Sequence, residues 1–507
     1  MKGNNDQDRY CDDLPTRPRP ELGKILVTGA SGYIGGRLVP ELLTRGYRVR
    51  VIVRAASPEH KERWPDAEIV VADALQLDSL KRALHGIHTA YYLIHSLLLG
   101  PRDFESVDIQ AAANFRAAAE EMQIKRVIYL GGLGDITARL SPHLRSRIQV
   151  AQELEKGSFS VTILRAAVII GSGSASYEII EHMVKKVPIL PIPFWARTRC
   201  QPIGVRDTVK YLVGVLENDV TSGKSYDIGG NDILTYEMML KTLADILGKK
   251  RFFVPSPISS VRLFAYIASF LTPVPHSITS CLMEGSFNEV VCQNDDIRRA
   301  VPFPTLPFRE ALVRAMSREE QDRVHTRWSD AYPPAYELAI KLRELNPPPR
   351  YTSSYSLLTG KMASALFRSI CSIGGREGWF NNNWLWRLRG GLDRVLMGVG
   401  ASRGRRSRSS LRINDVIGFW RVEDLRTDSM LLLRAEMKLP GKAWLQFDVD
   451  PEGDKNRLSV KAYYQTDTLL GKVYWYVFLP FHLLIFYDLI RQIEKRSERS
   501  PCPPGDR

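Results

Sequence analysis

The 507-residue sequence predicts an α/β protein, in which a doubly wound parallel sheet is followed by a smaller α+β domain. Short apolar segments alternate with helical ones from residue 24 to about residue 165, which is typical of parallel strands joined by helices. After residue 351, consecutive segments alternate between apolar and polar residues, as half-buried antiparallel strands do. A chain of this length exceeds one hydrophobic core, so two or three domains are expected.

A glycine-rich turn within residues 24–54 carries the clearest functional signal. The strand KILV leads into TGASGYIGG, an amphipathic helix follows, and a second strand begins after Gly46. The G-x-x-G-x-x-G spacing permits a tight turn, approach of the backbone to a pyrophosphate, and close packing of a helix whose N-terminus attracts phosphate. A chance glycine-rich loop is the structural alternative. We predict that a nicotinamide dinucleotide binds here, on Thr28, Gly29, Ser31, Gly32, Tyr33, Ile34 and Gly35.

The end of the second strand distinguishes the two nicotinamide cofactors. NAD-binding proteins usually carry an acidic residue there, which binds the ribose 2′-hydroxyl. This chain has Val53-Arg54 instead, and no acidic residue follows before Glu59. Because a guanidinium suits a 2′-phosphate, NADP is predicted in preference to NAD. The alternative is that Arg54 is a solvated charge at a strand end.

Further strands are predicted over 68–72, 89–94, 126–130 and 161–165. Ligands of doubly wound sheets bind at the carboxyl ends of the strands. Topology alone therefore places Asp73, His95, Gly131 and Gly171 near the cofactor, and Ala74, next to Asp73, is also predicted to bind it.

Residues 22–315 resemble the NmrA-like kind of atypical or extended short-chain dehydrogenase/reductase. The matching segments are TGASGYIG (28–35), VADALQLDSL (71–80), RVIYLGGLGD (126–135), LRAAVIIGSGSASYEII (164–180), TRCQPIGVRDTVKYL (198–212) and SYDIGGNDILTYEMM (225–239). The resemblance implies a Rossmann domain in which Asp73 contacts the adenine ring. It also implies that residues 198–292 form the substrate side.

The chain departs from this family at the catalytic positions. Catalytic members carry a Ser at the end of the fifth strand and a Tyr-x-x-x-Lys pair on the next helix. Here Gly131 or Gly132 occupies the Ser position, and the helix carries His143-x-x-x-Arg147. The helix start, Ser141-Pro142, places His143 near a positive dipole end, which favours a neutral imidazole.

His143 is therefore predicted to replace the Tyr as proton donor, with Arg147 holding the ribose or phosphate of the cofactor. His95 is the second candidate for the acid. The structural alternatives are surface positions for His143 and Arg147, and for His95 burial or packing beside the nicotinamide.

The predicted domain organisation has five parts. Residues 1–21 lack an apolar signal region and are expected to be a disordered leader. The domain 22–315 includes an apolar, proline-punctuated segment from residue 253, interpreted as a substrate lid or as core helices. A charged linker over 316–350, a second domain over 351–497 and a tail over 498–507 complete the chain.

The second domain is predicted to form an antiparallel meander with strands over 416–422, 430–437, 443–449 and 458–464. It resembles the uncharacterised domain fused to such reductases in bacterial proteins, through GGREGW (374–379), LWRLRGGLDR (385–394), FWRV (419–422), KLPGKAWLQF (438–447) and LLGKVYWYVFLPFHLLIF (469–486). That resemblance implies a START-like (SRPBCC) helix-grip fold, a curved sheet around a long helix that often encloses an apolar ligand cavity.

The segment 473–490 is apolar on nearly every side and close to the ~20 residues that span a bilayer. Its Pro480, His482 and Asp488 argue against burial in lipid. A buried grip helix is predicted, with membrane contact through this helix as the alternative.

Charge and cysteine content limit the partners. The net charge is +14, and residues 351–412 hold 11 Lys/Arg against 2 Asp/Glu, most densely over 403–408. Such a block suits anionic lipid or an acidic ligand, or it is a solvated loop; nucleic acid is disfavoured because no reader motif accompanies it. Six scattered cysteines without metal-like spacing indicate a reduced, cytoplasmic protein without a metal site.

Three functions agree with the sequence. The first is an NADP(H)-dependent oxidoreductase that acts on a carbonyl or enone of an apolar substrate. The second is a non-catalytic NADP(H)-binding redox sensor or scaffold, since the usual catalytic residues are missing. The third is a lipid- or isoprenoid-binding protein, on account of the aromatic and basic C-terminal half.

Overall fold

The computed structural model describes residues 9–54, 58–95, 104–134, 140–320, 326–331, 341–374, 378–396, 398–400 and 411–497. The chain divides into two compact units, residues 1–334 and residues 335–507. The tail 498–507 and the basic run 403–408 lie outside the described residues.

The first unit alternates strands and helices along the chain. Its strands are β1 (Lys24–Val27), β2 (Arg48–Val53), β3 (Glu68–Val71), β4 (Ile87–Tyr92), β5 (Arg126–Gly132), β6 (Ser160–Ala166), β7 (Ile169–Ile170), β8 (Ile189–Ile192), β9 (Arg199–Cys200), β10 (Ile203–Gly204), β11 (Ser225–Ile228), β12 (Leu234–Thr235) and β13 (Phe252–Pro255). Its helices are α1 (Gly35–Thr44), α2 (Pro58–Arg63), α3 (Leu77–Leu84), α4 (Phe104–Glu121), α5 (Pro142–Glu155), α6 (Ala175–Lys186), α7 (Val205–Glu217), α8 (Tyr236–Ile246), α9 (Val261–Leu271), α10 (His276–Gly285), α11 (Asp296–Ala300) and α12 (Phe308–Glu320).

Seven strands form one parallel sheet in the order β11-β6-β5-β4-β1-β2-β3. The predicted doubly wound Rossmann-type sheet is thus confirmed, and its strand order reverses between β1 and β4. Hydrophobic cores that include α1 and α7 on one face, and α3, α4 and α5 on the other, cover the sheet. The sequence did not predict β11, a four-residue strand whose buried Asp227 pairs with Arg165 at 2.7 Å.

The leader is not disordered from residue 9 onward, in contrast to the prediction. Tyr10 and Cys11 are buried, and their backbone N–H groups donate to the two carboxylate oxygens of Glu41 at 2.7 and 3.1 Å. Arg45 donates to the carbonyl oxygen of Cys11 at 2.9 Å. These charge-assisted bonds fasten the leader to α1, which a search for an apolar signal region does not detect.

Residues 326–331, which the sequence assigned to a linker, belong to the packed first unit. Trp328 is buried and donates from Nε1 to Glu178 at 2.7 Å, while Arg327 pairs with the same carboxylate at 2.6 Å. The buried guanidinium of Arg37 donates to Thr326. The polar composition of this segment indicated solvent exposure, but its polar groups find buried partners.

The second unit contains one antiparallel sheet of six strands, in the order β14-β19-β18-β17-β16-β15. Its strands are β14 (Tyr351–Thr359), β15 (Val416–Ile417), β16 (Trp420–Arg426), β17 (Met430–Ala435), β18 (Lys442–Glu452) and β19 (Lys455–Gln465). Its helices are α13 (Ala363–Cys371), α14 (Asn383–Val395) and α15 (Leu469–Arg496).

The predicted meander is confirmed, with two differences. The first predicted strand is broken into β15 and β16, because Gly418 turns the chain with a φ of 61°. The Ser- and Thr-rich strand β14 was missed, since it pairs with β19 about a hundred residues away.

The predicted apolar helix 473–490 is the middle of α15, which extends over 28 residues. Its inner side packs through Trp475, Phe486, Leu489, Ile490 and Ile493, all buried. No single helix among the described residues is both long and apolar enough to cross a membrane. The two halves Leu469–His482 and Leu484–Arg496, bent by 44°, satisfy that test together by length and composition only.

Candidate functional site

A cavity of about 470 Å³ lies at the carboxyl ends of the parallel strands, where the strand order reverses. Loops after β1 to β6 line one side of it, and helices α6, α8 and α10 contribute to the other. This volume is in the range of small-molecule and cofactor sites. The position is the one that doubly wound sheets use for ligands.

The glycine turn forms one end of the cavity, and two of its glycines are sterically required. Gly29 has a φ of 63°, and a Cβ there would lie 2.6 Å from the carbonyl oxygen of Leu93. A Cβ on Gly35 would lie 2.8 Å from the Cα of Ala30 and would overlap the carbonyl oxygen of Gly29. The helix α1 therefore begins directly against the turn, as the spacing predicted.

The other predicted residues of the turn divide between the cavity and its support. Ser31, Gly32 and Ile34 line the cavity. Thr28 is not among the lining residues; it is buried and its hydroxyl joins β1 to β4 by accepting from the N–H of Leu93 and donating to the carbonyl oxygen of Tyr91, both at 3.0 Å.

Tyr33 lines the wall of the cavity, but its hydroxyl is buried. Burial raises the pKa of this phenol to about 12. The guanidinium of Arg37 lies 4.3 Å from the centre of the ring, which fixes the ring in the wall. Tyr33 therefore shapes the site and is not placed as a proton donor.

Arg54, Asp73 and Ala74 lie together at the ends of β2 and β3, on the same side of the cavity as the glycine turn. The side chain of Arg54 is exposed at the cavity mouth. The carboxylate of Asp73 accepts from the N–H of Leu75 at 3.0 Å, which orients it beside the mouth. Gly171, expected at the same edge, does not line this cavity, because it packs against Val205 and the Tyr33 hydroxyl.

The two predicted histidines meet in the cavity wall. The ring centres of His95 and His143 are 5.1 Å apart. His95 Nδ1 lies 3.0 Å from Oδ2 of Asp108, which is buried on α4 and also accepts from Ser146 at 3.3 Å. Among the described residues, the buried nitrogens His95 Nε2 and His143 Nδ1 have no hydrogen-bond partner.

The electrostatics of the two histidines differ. Burial lowers the pKa of His143 well below its ordinary value, and a protonated His95 and the charge of Arg147 lower it further. Burial also lowers the pKa of His95, but the carboxylate of Asp108 opposes this shift. Both rings are thus neutral near pH 7, and His95 holds a proton more readily because its protonated form is paired. The neutral His143 agrees with the prediction, although burial is the main cause.

Arg147 lies in the same wall, with its guanidinium turned to the protein. It donates to the carbonyl oxygen of Leu130, and its Cζ lies 5.0 Å from the centre of the Tyr129 ring. The position of the missing Ser is filled as well, since a Cβ on Gly132 would lie 3.1 Å from Leu144 and 3.5 Å from Arg147.

Part of the cavity lining is apolar. Trp328 and Val290, with Ile278 and Leu282 of α10, form this part beside the strand ends. The helix α10 belongs to the segment predicted as a substrate lid or core helices. Sequence reasoning missed Asp108, Trp328 and the residues of α10. Asp108 is one of four acidic residues on α4, and nothing in the sequence distinguished it from Glu105, Glu120 and Glu121.

Each of the two units matches a known family model. A family model described as the NmrA-like family matches residues 21–292, just over half of the chain. This chain belongs to the NmrA-like family. Its first unit is accordingly an NAD(P)-binding domain of the short-chain dehydrogenase/reductase type. A second model, described as a protein of unknown function (DUF2867), matches residues 346–489.

Two curated relatives illustrate the functions that proteins similar to this chain are named for. One is a mitochondrial protein of Arabidopsis thaliana, NADH dehydrogenase [ubiquinone] 1 alpha subcomplex subunit 9, which is 27% identical over 52% of this chain and 69% of its own length. The other is the chloroplastic divinyl chlorophyllide a 8-vinyl-reductase of Oryza sativa subsp. indica, 26% identical over 50% of this chain and 66% of its own. The matches thus span about two thirds of these relatives.

Two solved structures are similar to the NmrA-like unit. The Citrobacter sp. triphenylmethane reductase complexed with NADP(H) has a TM-score of 0.47 and 21% identity, over 58% of this chain and 99% of its own. A nucleoside-diphosphate-sugar epimerase of Staphylococcus aureus has a TM-score of 0.47 and 16% identity, over 57% and 99%.

The backbone of Gly35 lies so close to Gly29 and Ala30 that the effect of adding one methyl group at Gly35 can be predicted. Gly35→Ala should lower the stability of the first unit by about 1–3 kcal/mol, since either α1 or the turn must shift, and it should weaken dinucleotide binding at least tenfold. Calorimetric titration with NADPH and chemical unfolding measure the two effects.

Gly391→Ala is the matched control, because a Cβ on this helical glycine meets no atom within 4 Å. It should leave the affinity unchanged and stability equal or slightly higher. Equal behaviour of the two variants would contradict the steric role of Gly35.

Proposed function

We propose that this NmrA-like protein is a cytoplasmic NADP(H)-dependent oxidoreductase that reduces a carbonyl or a conjugated double bond of an apolar substrate. The observation that carries the proposal is one continuous cavity. Its lining combines the glycine turn, a group of apolar side chains and two imidazoles whose ring centres are 5.1 Å apart. Among the relatives, the divinyl chlorophyllide a 8-vinyl-reductases are reductases by name, in keeping with this reaction class.

The residues of the cavity fit a dinucleotide. A Cβ on Gly29 or Gly35 would clash with neighbouring backbone in the turn. Because both residues lack a Cβ, the backbone can lie close to a pyrophosphate. Asp73 is proposed to bind the adenine side, and Arg54 at the cavity mouth is proposed to bind the 2′-phosphate of NADP. The nicotinamide and the substrate are then proposed to lie against the apolar part of the lining.

Arg54 provides the test of cofactor choice. Arg54→Glu replaces attraction to a 2′-phosphate by repulsion, so NADPH affinity should fall about 10- to 100-fold while NADH affinity changes little. Calorimetric titration with both nucleotides measures this.

Arg48→Glu is the matched control, since Arg48 is an exposed arginine at the opposite end of β2. An equal loss for NADPH and NADH in Arg54→Glu, or the same loss in the control, would refute a specific 2′-phosphate contact.

The proton is proposed to come from the histidine pair. Bound NADPH supplies a hydride to the substrate carbon. Asp108 accepts the N–H of His95 Nδ1 and stabilises the protonated ring, so that Nε2 can give its proton to the substrate oxygen or carbon. The neutral His143 donates a hydrogen bond to the same oxygen from the facing wall. Arg147 supports this wall by donating to the carbonyl oxygen of Leu130, and its predicted contact with the cofactor ribose is not part of this proposal.

This arrangement predicts a pH profile. The pKa of His95 lies below its ordinary value, so the protonated ring is a minor species above neutral pH. Reduction should therefore accelerate as pH falls from 8 to 6. Asp108→Asn should slow it by about 10²-fold and move the profile to lower pH, because the imidazolium loses its partner. Stopped-flow oxidation of NADPH against a panel of apolar carbonyls and enones measures both.

Glu105→Gln is the control for Asp108→Asn, since Glu105 lies on the same helix α4 but pairs with Arg145.

His143→Phe should retain NADPH affinity and lose turnover. Unchanged rates in His143→Phe, or an unshifted pH profile in Asp108→Asn, would reject the roles of these residues.

A non-catalytic NADP(H)-binding sensor or scaffold is the second candidate. The filled Ser position at Gly132 and the inward-turned Arg147 favour it, as does the name of the Arabidopsis relative, which is a subunit of a larger assembly. Tight NADPH binding without oxidation by any member of the panel would establish this function in place of the first.

For the second unit we propose a START-like helix-grip fold that binds an apolar ligand such as a lipid or isoprenoid. The support is a six-stranded antiparallel sheet with a long helix, α15, packed on β14 and β19. The stacked rings of Tyr464 and Trp475, with centres 5.7 Å apart, join helix and sheet.

Solvent extraction of the purified protein, followed by mass spectrometry, should recover a stoichiometric apolar molecule if the grip encloses a ligand. Trp475→Phe keeps an aromatic ring beside Tyr464 and serves as the folded control. Repeated extraction of an empty protein, together with failure to take up added fatty acids or isoprenoids, would contradict ligand binding.

A further inference from the structure

The long helix α15 has an apolar face that remains exposed. Eight large apolar or aromatic side chains on it are 38–77% exposed: Leu469, Leu470, Val473, Tyr476, Val477, Phe481, Leu484 and Tyr487. Apart from two adjacent pairs, they are spaced by three or four positions and therefore share one side of the helix. From the first to the last they extend over about 27 Å.

This outer face is distinct from the face that holds the unit together. The inner side chains, such as Trp475 and Ile490, are buried against the rest of the second unit. The fold therefore leaves part of the apolar surface of α15 exposed. Soluble proteins rarely expose a continuous apolar patch of this length, and such a patch indicates a partner or a membrane.

The net charge of the second unit indicates the chemical nature of the partner. Residues 335–507 contain 28 Lys/Arg and 18 Asp/Glu, so this third of the chain carries +10 of the total +14. On α15 itself, Lys472 lies near the start of the patch, between Leu470 and Val473, while Arg491 and Lys495 follow the patch. The guanidinium of Arg491 lies 4.0 Å from the centre of the Tyr487 ring, at the end of the patch.

We propose that the outer face of α15 binds the surface of an anionic lipid bilayer, with the helix lying parallel to the membrane. Apolar and aromatic side chains would enter the boundary between headgroups and acyl chains, and the flanking basic residues would contact anionic headgroups. A second copy of the chain fits less well, because two units of +10 repel one another.

The helix lies on the membrane and does not cross it. Its inner face packs through Trp475, Phe486 and Ile490 against the protein, and a spanning helix would have to give up these contacts. Asp488, near the C-terminal end of the patch, bonds Asn381 at 3.3 Å, which fastens this end of the helix to the unit.

Vesicle sedimentation tests the proposal with the full-length protein. Vesicles of phosphatidylcholine with about 30% phosphatidylglycerol should bind the protein, vesicles of phosphatidylcholine alone should bind it at least about tenfold more weakly, and about 0.5 M salt should reduce the difference. The double variant Leu470→Gln/Leu484→Gln should lose binding to the anionic vesicles at least about tenfold, because two exposed contacts are removed.

Phe252→Gln is the matched control, since Phe252 is 68% exposed in the first unit and should bind vesicles like the unchanged protein. Circular dichroism and NADPH titration show that all variants remain folded. Failure of the unchanged protein to bind anionic vesicles, or equal binding by the double variant, overturns the proposal. A dimer in light scattering that the double variant dissociates, without vesicle binding, would assign the face to a second copy instead.

Discussion

The close contact between α1 and the turn after β1 is the constraint on which the first unit depends. Gly35 lets the helix begin against the carbonyl of Gly29, and Gly29 lets the turn pass below Leu93. The turn lies at the strand ends where the strand order reverses, between β1 and β4. The cavity exists at this place because two backbone segments approach one another more closely than side chains would allow.

The chemistry proposed for the cavity follows from the unequal pairing of two buried histidines. His95 and His143 lie side by side, but only His95 has a carboxylate partner, so the two rings differ in their capacity to hold a proton. Asp108 itself is buried, and its charge is tolerated because Ser146 and His95 bond it. An NmrA-like chain without the usual Ser and Tyr-x-x-x-Lys thus retains a group that can transfer protons at the place where the nicotinamide is expected.

In the second unit, helix α15 has two apolar sides with different surroundings. The inner side of α15 completes the core of the unit, while its outer side presents a second apolar strip beside basic residues. A ligand enclosed by the sheet and a bilayer bound outside would lie on opposite sides of the same helix. This arrangement would place the proposed oxidoreductase close to a source of apolar substrates.

The sequence by itself determined the strand–turn–helix–strand unit, the parallel sheet, the later antiparallel strands and the long apolar helix. These features follow from glycines, apolar runs and periodicities within short stretches of chain. Only the tertiary structure decided that residues 9–21 and 326–331 pack on the first unit, that β14 joins β19, and that Asp108 meets His95. Such contacts join segments from different elements, most of them far apart in the chain, so they depend on how helices and strands pack and not on local residue preferences.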